Sequence, residues 1–199
     1  MSWLLWTALG FALGSLPFSV WIGRLALRKD IRSYGDRNPG ATNVLRAGGK
    51  LWFVAALLLD IAKGAAPVGA AYWLMGIRGM ESVPIALAPV LGHAFSPFLG
   101  FKGGKAVATM GGIWIGLTLA YMPVVLMLLL IFWFYVVTVS GWAVILTALS
   151  GLAYLLINLP DQALIAVMIG CLLLSLYKQR EDLAKPLRLR LPKGASKVA

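Results

Sequence analysis

Gly100-Phe101-Lys102-Gly103-Gly104-Lys105 sets three glycines and two lysines between two long apolar runs. Glycines let backbone N–H groups come close to a ligand. A helix starting at the end of this stretch would add the partial positive charge of its N-terminus. Together with two ammonium groups, these features make an anion trap suited to phosphate at a bilayer edge. A second polar stretch runs Gly35-Asp36-Arg37-Asn38-Pro39-Gly40-Ala41-Thr42-Asn43-Val44-Leu45-Arg46. Here Asn38, Thr42 and Asn43 offer hydrogen bonds, and Arg46 offers a bidentate grip on an anion. The bland reading of the same residues is a solvated turn cluster followed by a basic membrane anchor. A third site, Asp60 and Lys63 in an apolar run, has a spacing of three that puts both on one helix face. They form either an internal ion pair or the wall of a polar cavity, with Asp60 orienting Lys63 toward a ligand.

Several chemistries are excluded. His93 is the only histidine, so no multi-histidine metal site exists, and no carboxylate or cysteine cluster supplies one. On its own it reads as a hydrogen-bonded structural group. The glycine loop is not a nucleotide-triphosphate loop, which would need a glycine at Leu99 and a hydroxyl at Ala106. There is no G-x-S-x-G elbow and no pair of membrane carboxylates of the glycosidase type. Cys171 is the only cysteine and cannot form an internal disulfide.

The elements that must position these residues are membrane helices. Of 199 residues, 60% are hydrophobic and 13% charged, too few charges to cover a water-soluble domain of this size. Seven apolar runs predict spans near Trp3–Leu25, Leu51–Met75, Val83–Leu99, Ala106–Leu119, Pro123–Val139, Trp142–Ile157 and Ala163–Tyr177. Several fall short of the ~20 residues of a full crossing, which points to tilted or broken helices around a site. The fold class is an all-α integral membrane protein: one seven-transmembrane-helix bundle over 1–199, with short or broken helices around a cytoplasmic-side polar pocket. A basic cytoplasmic tail covers 178–199. The first cation, Arg24, lies at the far end of the first run, which reads as an uncleaved span starting outside. Seven spans then put sixteen of the 18 cations on the cytoplasmic face and leave Arg78 alone on the other. The net charge of +11 suits anionic lipid headgroups rather than nucleic acid, because the basic residues flank membrane runs.

Taken together, the motifs resemble the acyl-phosphate:glycerol-3-phosphate acyltransferases of bacterial membranes. The matching segments run from residue 14 to residue 109 in the family's order and spacing. They are Gly14-Ser15-Leu16-Pro17-Phe18, Asp30-Ile31-Arg32, Asn38 to Arg46, Leu59 to Gly64, Gly92-His93 and Gly100 to Thr109. The resemblance implies transfer of a fatty acyl group from acyl phosphate to the sn-1 hydroxyl of glycerol 3-phosphate, giving lysophosphatidic acid and phosphate. It implies no cofactor and no metal, and a place in the bacterial inner membrane. On the matching positions, Asp36, His93 and Lys105 are the catalytic candidates. Asn38, Thr42, Asn43, Arg46, Lys63, Lys102, Gly103 and Gly104 are the substrate-binding candidates, and Asp60 and Gln179 are supporting ones. Two phosphate-bearing substrates need matching cations, and an acyl phosphate is already activated, so no covalent nucleophile is required.

The chain also departs from the family pattern. Asp36 stands where the family has serine, and Arg37 replaces a glycine. Ala106 takes the place of the loop's third glycine. Gln179 and Asp182 stand where the C-terminal motif has histidine and asparagine. To avoid repelling phosphate, Asp36 and Asp182 are expected to pair with Arg37 and Arg180. Asp36 could alternatively act as a base toward the attacking hydroxyl. The departures leave open an alternative: a relative that has lost catalysis and serves as a lipid-binding or structural subunit of a membrane complex.

Overall fold

The structure, a computed structural model, describes residues 2–190. Among these, regular structure is helical apart from one isolated bridge between Val137 and Leu189. The first apolar run is broken into α1 (Trp3–Gly14) and α2 (Phe18–Ala26). Pro17 lies between them. It has no N–H for a helix bond, and its ring disfavours an α conformation in the residue before it. Side chains take up the carbonyls at the break. Ser96 Oγ donates to the Ser15 oxygen, and Lys63 Nζ donates to the Leu16 oxygen at 2.8 Å. The break is therefore a polar socket inside an apolar segment.

The short α3 (Ala41–Arg46) leads into α4 (Lys50–Gly69), which continues through a wider turn over Ala70–Leu74. α5 (Ser82–Ala94) and α6 (Val107–Thr118) flank the glycine loop. They are followed by α7 (Tyr121–Val136), α8 (Ser140–Asn158), α9 (Gln162–Lys178) and α10 (Arg180–Leu183). Four segments are long and apolar enough to cross a membrane: Trp3–Ala26, Lys50–Leu74, Gly79–Leu99 and Ser140–Asn158. α6, α7 and α9 are shorter apolar helices.

Small residues bring the site-bearing helices together. A Cβ on Gly112 of α6 would run into the Ile61 carbonyl of α4, and one on Gly64 would lie 2.5 Å from the Thr109 carbonyl. Across α1 and α5, Gly14 lies against the Pro89 backbone and Gly92 against the Phe11 carbonyl. Between apolar helices in lipid, such close backbone contact replaces the hydrophobic drive that water would supply. Val68, Val90, Ile113, Trp114, Leu117, Met122, Leu155, Val167 and Met168 form the main core. A second cluster (Val20, Ile31, Val44, Ala47 and Ala56) seats the loop before α3 on α2 and α4. Leu128, Ile131, Phe132 and Tyr135 of α7 face outward, as lipid-facing residues would.

The expected basic tail is partly folded. Lys178 closes α9, and residues beyond α10 lie along the α7–α8 junction. There the Thr138 N–H donates to the Arg188 carbonyl at 3.0 Å, and the Arg190 N–H to the Val136 carbonyl at 2.8 Å. Residues 191–199 of that tail lie outside the described residues.

Candidate functional site

The loop before α3 is built by its own side chains. Asp30 accepts from the Arg32 N–H to cap a turn over Ile31–Ser33 and pairs with the Arg32 guanidinium at 2.6 Å. That guanidinium holds its carboxyl down at about 2. The chain turns at Gly35 (φ +53), where a Cβ would lie 2.7 Å from Asn43 Oδ1. Asn43, buried on α3, donates to the Asn38 carbonyl (2.8 Å) and to Asp36 (3.1 Å), and accepts from Arg46 Nη1 (2.9 Å). The Arg46 guanidinium also pairs with Asp36 at 3.1 Å. The Asn-Pro-Gly-Ala-Thr-Asn stretch is thus a hydrogen-bonded frame that aims one arginine.

The glycine loop meets this frame. The Lys105 N–H donates to Asn38 Oδ1 at 3.0 Å, and the Gly104 N–H to the His93 carbonyl at 3.1 Å. Gly103 and Gly104 are buried on the end of α5. A Cβ on Gly103 would strike the His93 and Ala94 carbonyls, and one on Gly104 would strike His93 Nε2. Ala106 starts α6 with φ +60, a left-handed conformation that glycine adopts without strain. The Lys105 ammonium sits between two carboxylates, Asp36 at 3.1 Å and Asp182 at 2.8 Å. Asp182 also pairs with Lys185 at 2.7 Å. Burial alone would raise the Asp36 and Asp182 carboxyls, but hydrogen bonds from Lys105, joined at Asp182 by Lys185, outweigh it and hold both below the usual aspartate value. Burial alone would lower Lys105, but the two carboxylates reverse the balance and raise it.

A second polar layer lies deeper. Asp60 (2% exposed) and Lys63 (5% exposed) pair at 2.8 Å. Ser19 Oγ donates to Asp60 at 2.7 Å, and Lys63 also holds the Leu16 carbonyl at the α1–α2 break. His93 Nδ1 is 3.8 Å from Asp60 and 3.3 Å from Thr109 Oγ1. With Nε2 toward Gly104, this histidine joins the deep layer to the glycine loop.

The structure brings Asp36, Asn38, Asn43, Arg46, Gly103, Gly104 and Lys105 into one cluster, with His93 directly beneath. Asp60 and Lys63 occupy the deeper layer, and the Lys63 ammonium is spent on protein oxygens. Thr42 and Lys102 are exposed, and Lys102 forms no ion pair among the described residues. Gln179 is buried, and its Oε1 has no hydrogen-bond partner among the described residues. The expected Asp36–Arg37 and Asp182–Arg180 pairs do not form. Asp36 pairs with Arg46 and Lys105, Asp182 pairs with Lys105 and Lys185, and Arg180 stacks on Tyr177. On α10 the reason is geometric: side chains two apart on a helix do not face each other. Sequence reasoning missed Ser19, Lys178 and Lys185. Ser19 has no signal in an apolar run, and Lys185 is indistinguishable from the general basic excess at membrane edges. Lys178 had a signal, since it stands at the Lys/Arg position of the C-terminal motif that Gln179 and Asp182 depart from.

Residues 4–188 match the family model described as glycerol-3-phosphate acyltransferase. A glycerol-3-phosphate acyltransferase of Maridesulfovibrio salexigens is 37% identical over 196 residues, covering 98% of this chain and 95% of the relative. One from Albidiferax ferrireducens is 36% identical, covering 90% and 83%. The fold is similar to the crystal structure of PlsY, an integral membrane glycerol 3-phosphate acyltransferase, in its glycerol 3-phosphate form. The TM-score is 0.83 with 31% identity, over 92% of this chain and 90% of that one.

Proposed function

The chain belongs to the glycerol-3-phosphate acyltransferase family, and from that premise we propose that it transfers a fatty acyl group from acyl phosphate to the sn-1 hydroxyl of glycerol 3-phosphate. The products are lysophosphatidic acid and inorganic phosphate. The protein is a multi-pass membrane acyltransferase. The observation that carries the substrate reading is the convergence of Arg46 and Lys105, from separate segments, on the single carboxylate of Asp36. Cations gathered this way, at a glycine loop seated on the end of α5, match the phosphates of both substrates.

In this reading Arg46, Lys105 and the loop hold the phosphates, with Asn38 and Asn43 fixing the frame and Thr42 and Lys102 reaching from its rim. An arriving phosphate competes with Asp36 and Asp182 for Lys105. The displaced Asp36 carboxylate is then placed to accept the hydroxyl proton, with a phosphate oxygen of the substrate as the rival acceptor. The acyl phosphate brings its own leaving group, so the rate comes from positioning and from cations facing the developing oxyanion. Asp60, Lys63 and Gln179 act from beneath. For the acyl chain, an apolar groove of about 540 Å³ lined by Phe18, Trp21, Ile22, Leu25, Ala26 and Trp52 starts beside this layer. The Phe18 ring is 5.8 Å from Lys63 Nζ.

The same reading takes all seven apolar helical segments as crossings of the bacterial inner membrane, with the N-terminus outside and the pocket and C-terminus cytoplasmic. Sixteen cations on one face support it. Nothing in the comparisons favours the non-catalytic alternative. The test is purified protein supplied with acyl phosphate and glycerol 3-phosphate, with lysophosphatidic acid measured. Lys105→Ala and Arg46→Ala are each expected to lower the rate by about 100-fold or more. Well-folded protein that makes no product, or activity indifferent to both changes, would refute the reading.

A further inference from the structure

Lys178 is the last residue of α9, and it does something the acyl-transfer scheme leaves unassigned. Its Nζ donates to the Ala94 carbonyl at 3.0 Å and to the Gly103 carbonyl at 2.9 Å. The ammonium also lies 5.3 Å from the centre of the Phe95 ring. Ala94 closes α5, where carbonyls lack helix partners and a cation is favoured. Gly103 belongs to the glycine loop. One side chain therefore ties three parts of the chain together: α9, the end of α5 and the loop that carries Lys105.

We propose that Lys178 is a positioning residue, which sets the plane of the glycine loop and, through it, the direction of the Gly104 and Lys105 groups. The loop's other holds are on its N–H groups and on the Lys105 side chain. Its N–H groups at Gly104 and Lys105 are taken by the His93 carbonyl and by Asn38. Gly103 and Gly104 have no side chains of their own to pack. Among the described residues, the Lys178 bond is the side-chain hold on a carbonyl of the Gly103–Lys105 stretch. Because the ammonium is committed to two carbonyls, it does not count among the cations offered to phosphate. Removing it leaves the Gly103–Gly104 peptide held on one side only, by the Gly104 N–H on the His93 carbonyl, and so loosens the plane that orients that N–H. The effect falls on a loop two residues from Lys105, while the apolar core is left as it was.

The inference rests on the acyltransferase reading for its kinetic arm and is independent of it for its structural arm. In detergent or lipid discs, hydrogen exchange of the 100–106 loop and of α8 is compared in wild type, Lys178→Met and Lys178→Arg, alongside kcat and KM for glycerol 3-phosphate. Methionine keeps the length and removes the donors; arginine keeps donors for both carbonyls. Lys178→Met is expected to speed exchange in the loop with α8 unchanged, and to lower kcat/KM by about tenfold or more, the cost of two lost charge-assisted bonds at a positioned group. Lys178→Arg is expected to restore both to within about threefold. Unchanged loop exchange in Lys178→Met overturns the proposal, as does exchange raised equally in α8, which marks a residue of the general fold. Equal damage from methionine and arginine overturns it too. If Lys178→Met does not purify as folded protein, Lys178→Gln replaces it under the same criteria. A wild type without activity but with the predicted exchange pattern would sink the acyltransferase reading and leave this one standing.

Discussion

At Lys63, an ammonium in the middle of an apolar helix is held by the Asp60 carboxylate and by a carbonyl left open at the α1–α2 break. Lys63→Met leaves Asp60 charged, buried and without its cation. The expected loss is about 3–5 kcal/mol, read as a fall in thermal unfolding temperature. Asp60→Asn combined with Lys63→Met is expected to recover part of it, because no charge is then stranded. At the rim, Asp36 and Asp182 are depressed and Lys105 is raised. A depressed carboxyl adds stability that is complete above its ordinary value of 3.8 and is lost as pH falls through the folded value. The stability gap between wild type and Asp182→Asn is therefore expected to be flat from neutral pH down to about 4 and to close below it, as measured by thermal unfolding across pH. A gap that closes already near neutrality would contradict this. These residue types were legible in the sequence: Asp60 and Lys63 share a face by spacing alone. The partners of Asp36 and Asp182 were not: Arg180 faces away from Asp182 once α10 forms, and Asp36 is met by Arg46 and Lys105 from other segments.

At the scale of elements, the glycine loop takes its shape because its backbone rests on the end of α5. Gly103→Ala places a Cβ against the His93 and Ala94 carbonyls. It is expected to lower activity by about tenfold or more with little change in helical content, as read by kinetics and circular dichroism. Full activity would show that the loop tolerates displacement. The helices themselves were readable from their apolar runs, but the break in the first segment at Pro17 was not: Trp3–Leu25 reads as a single span, and the structure divides it into α1 and α2. Short helices were expected, and α6, α7 and α9 are short, but the runs Val83–Leu99 and Trp142–Ile157 lengthen to Gly79–Leu99 and Ser140–Asn158. Which helices touch was not readable: α4 meets α6, and α1 meets α5, through Gly64, Gly112, Gly14 and Gly92. Glycines mark places where close approach is possible, and the partner is chosen only when the bundle closes.

At the scale of the molecule, Cys171 is the one cysteine and is buried, so a cysteine introduced at Thr42 offers a clean topology probe. An impermeant thiol reagent is expected to leave Thr42→Cys unlabelled in intact cells and to label it in inverted vesicles. Labelling from outside would invert the orientation and place the phosphate site on the wrong face for a cytoplasmic substrate. The sequence alone determined the class of molecule, because hydropathy and the placement of cations are properties of composition and order. It also supplied the inventory of candidate phosphate-binding groups, through motifs whose residue types and spacing are local. Only the tertiary structure decided how that inventory divides. Arg46 and Lys105 meet at the rim, while Lys63 is turned inward to a carbonyl that exists only because Pro17 interrupts a helix. Lys178, 75 residues from Gly103 along the chain, reaches the glycine loop. Such contacts depend on how helices far apart along the chain pack together, which neither spacing nor residue type specifies.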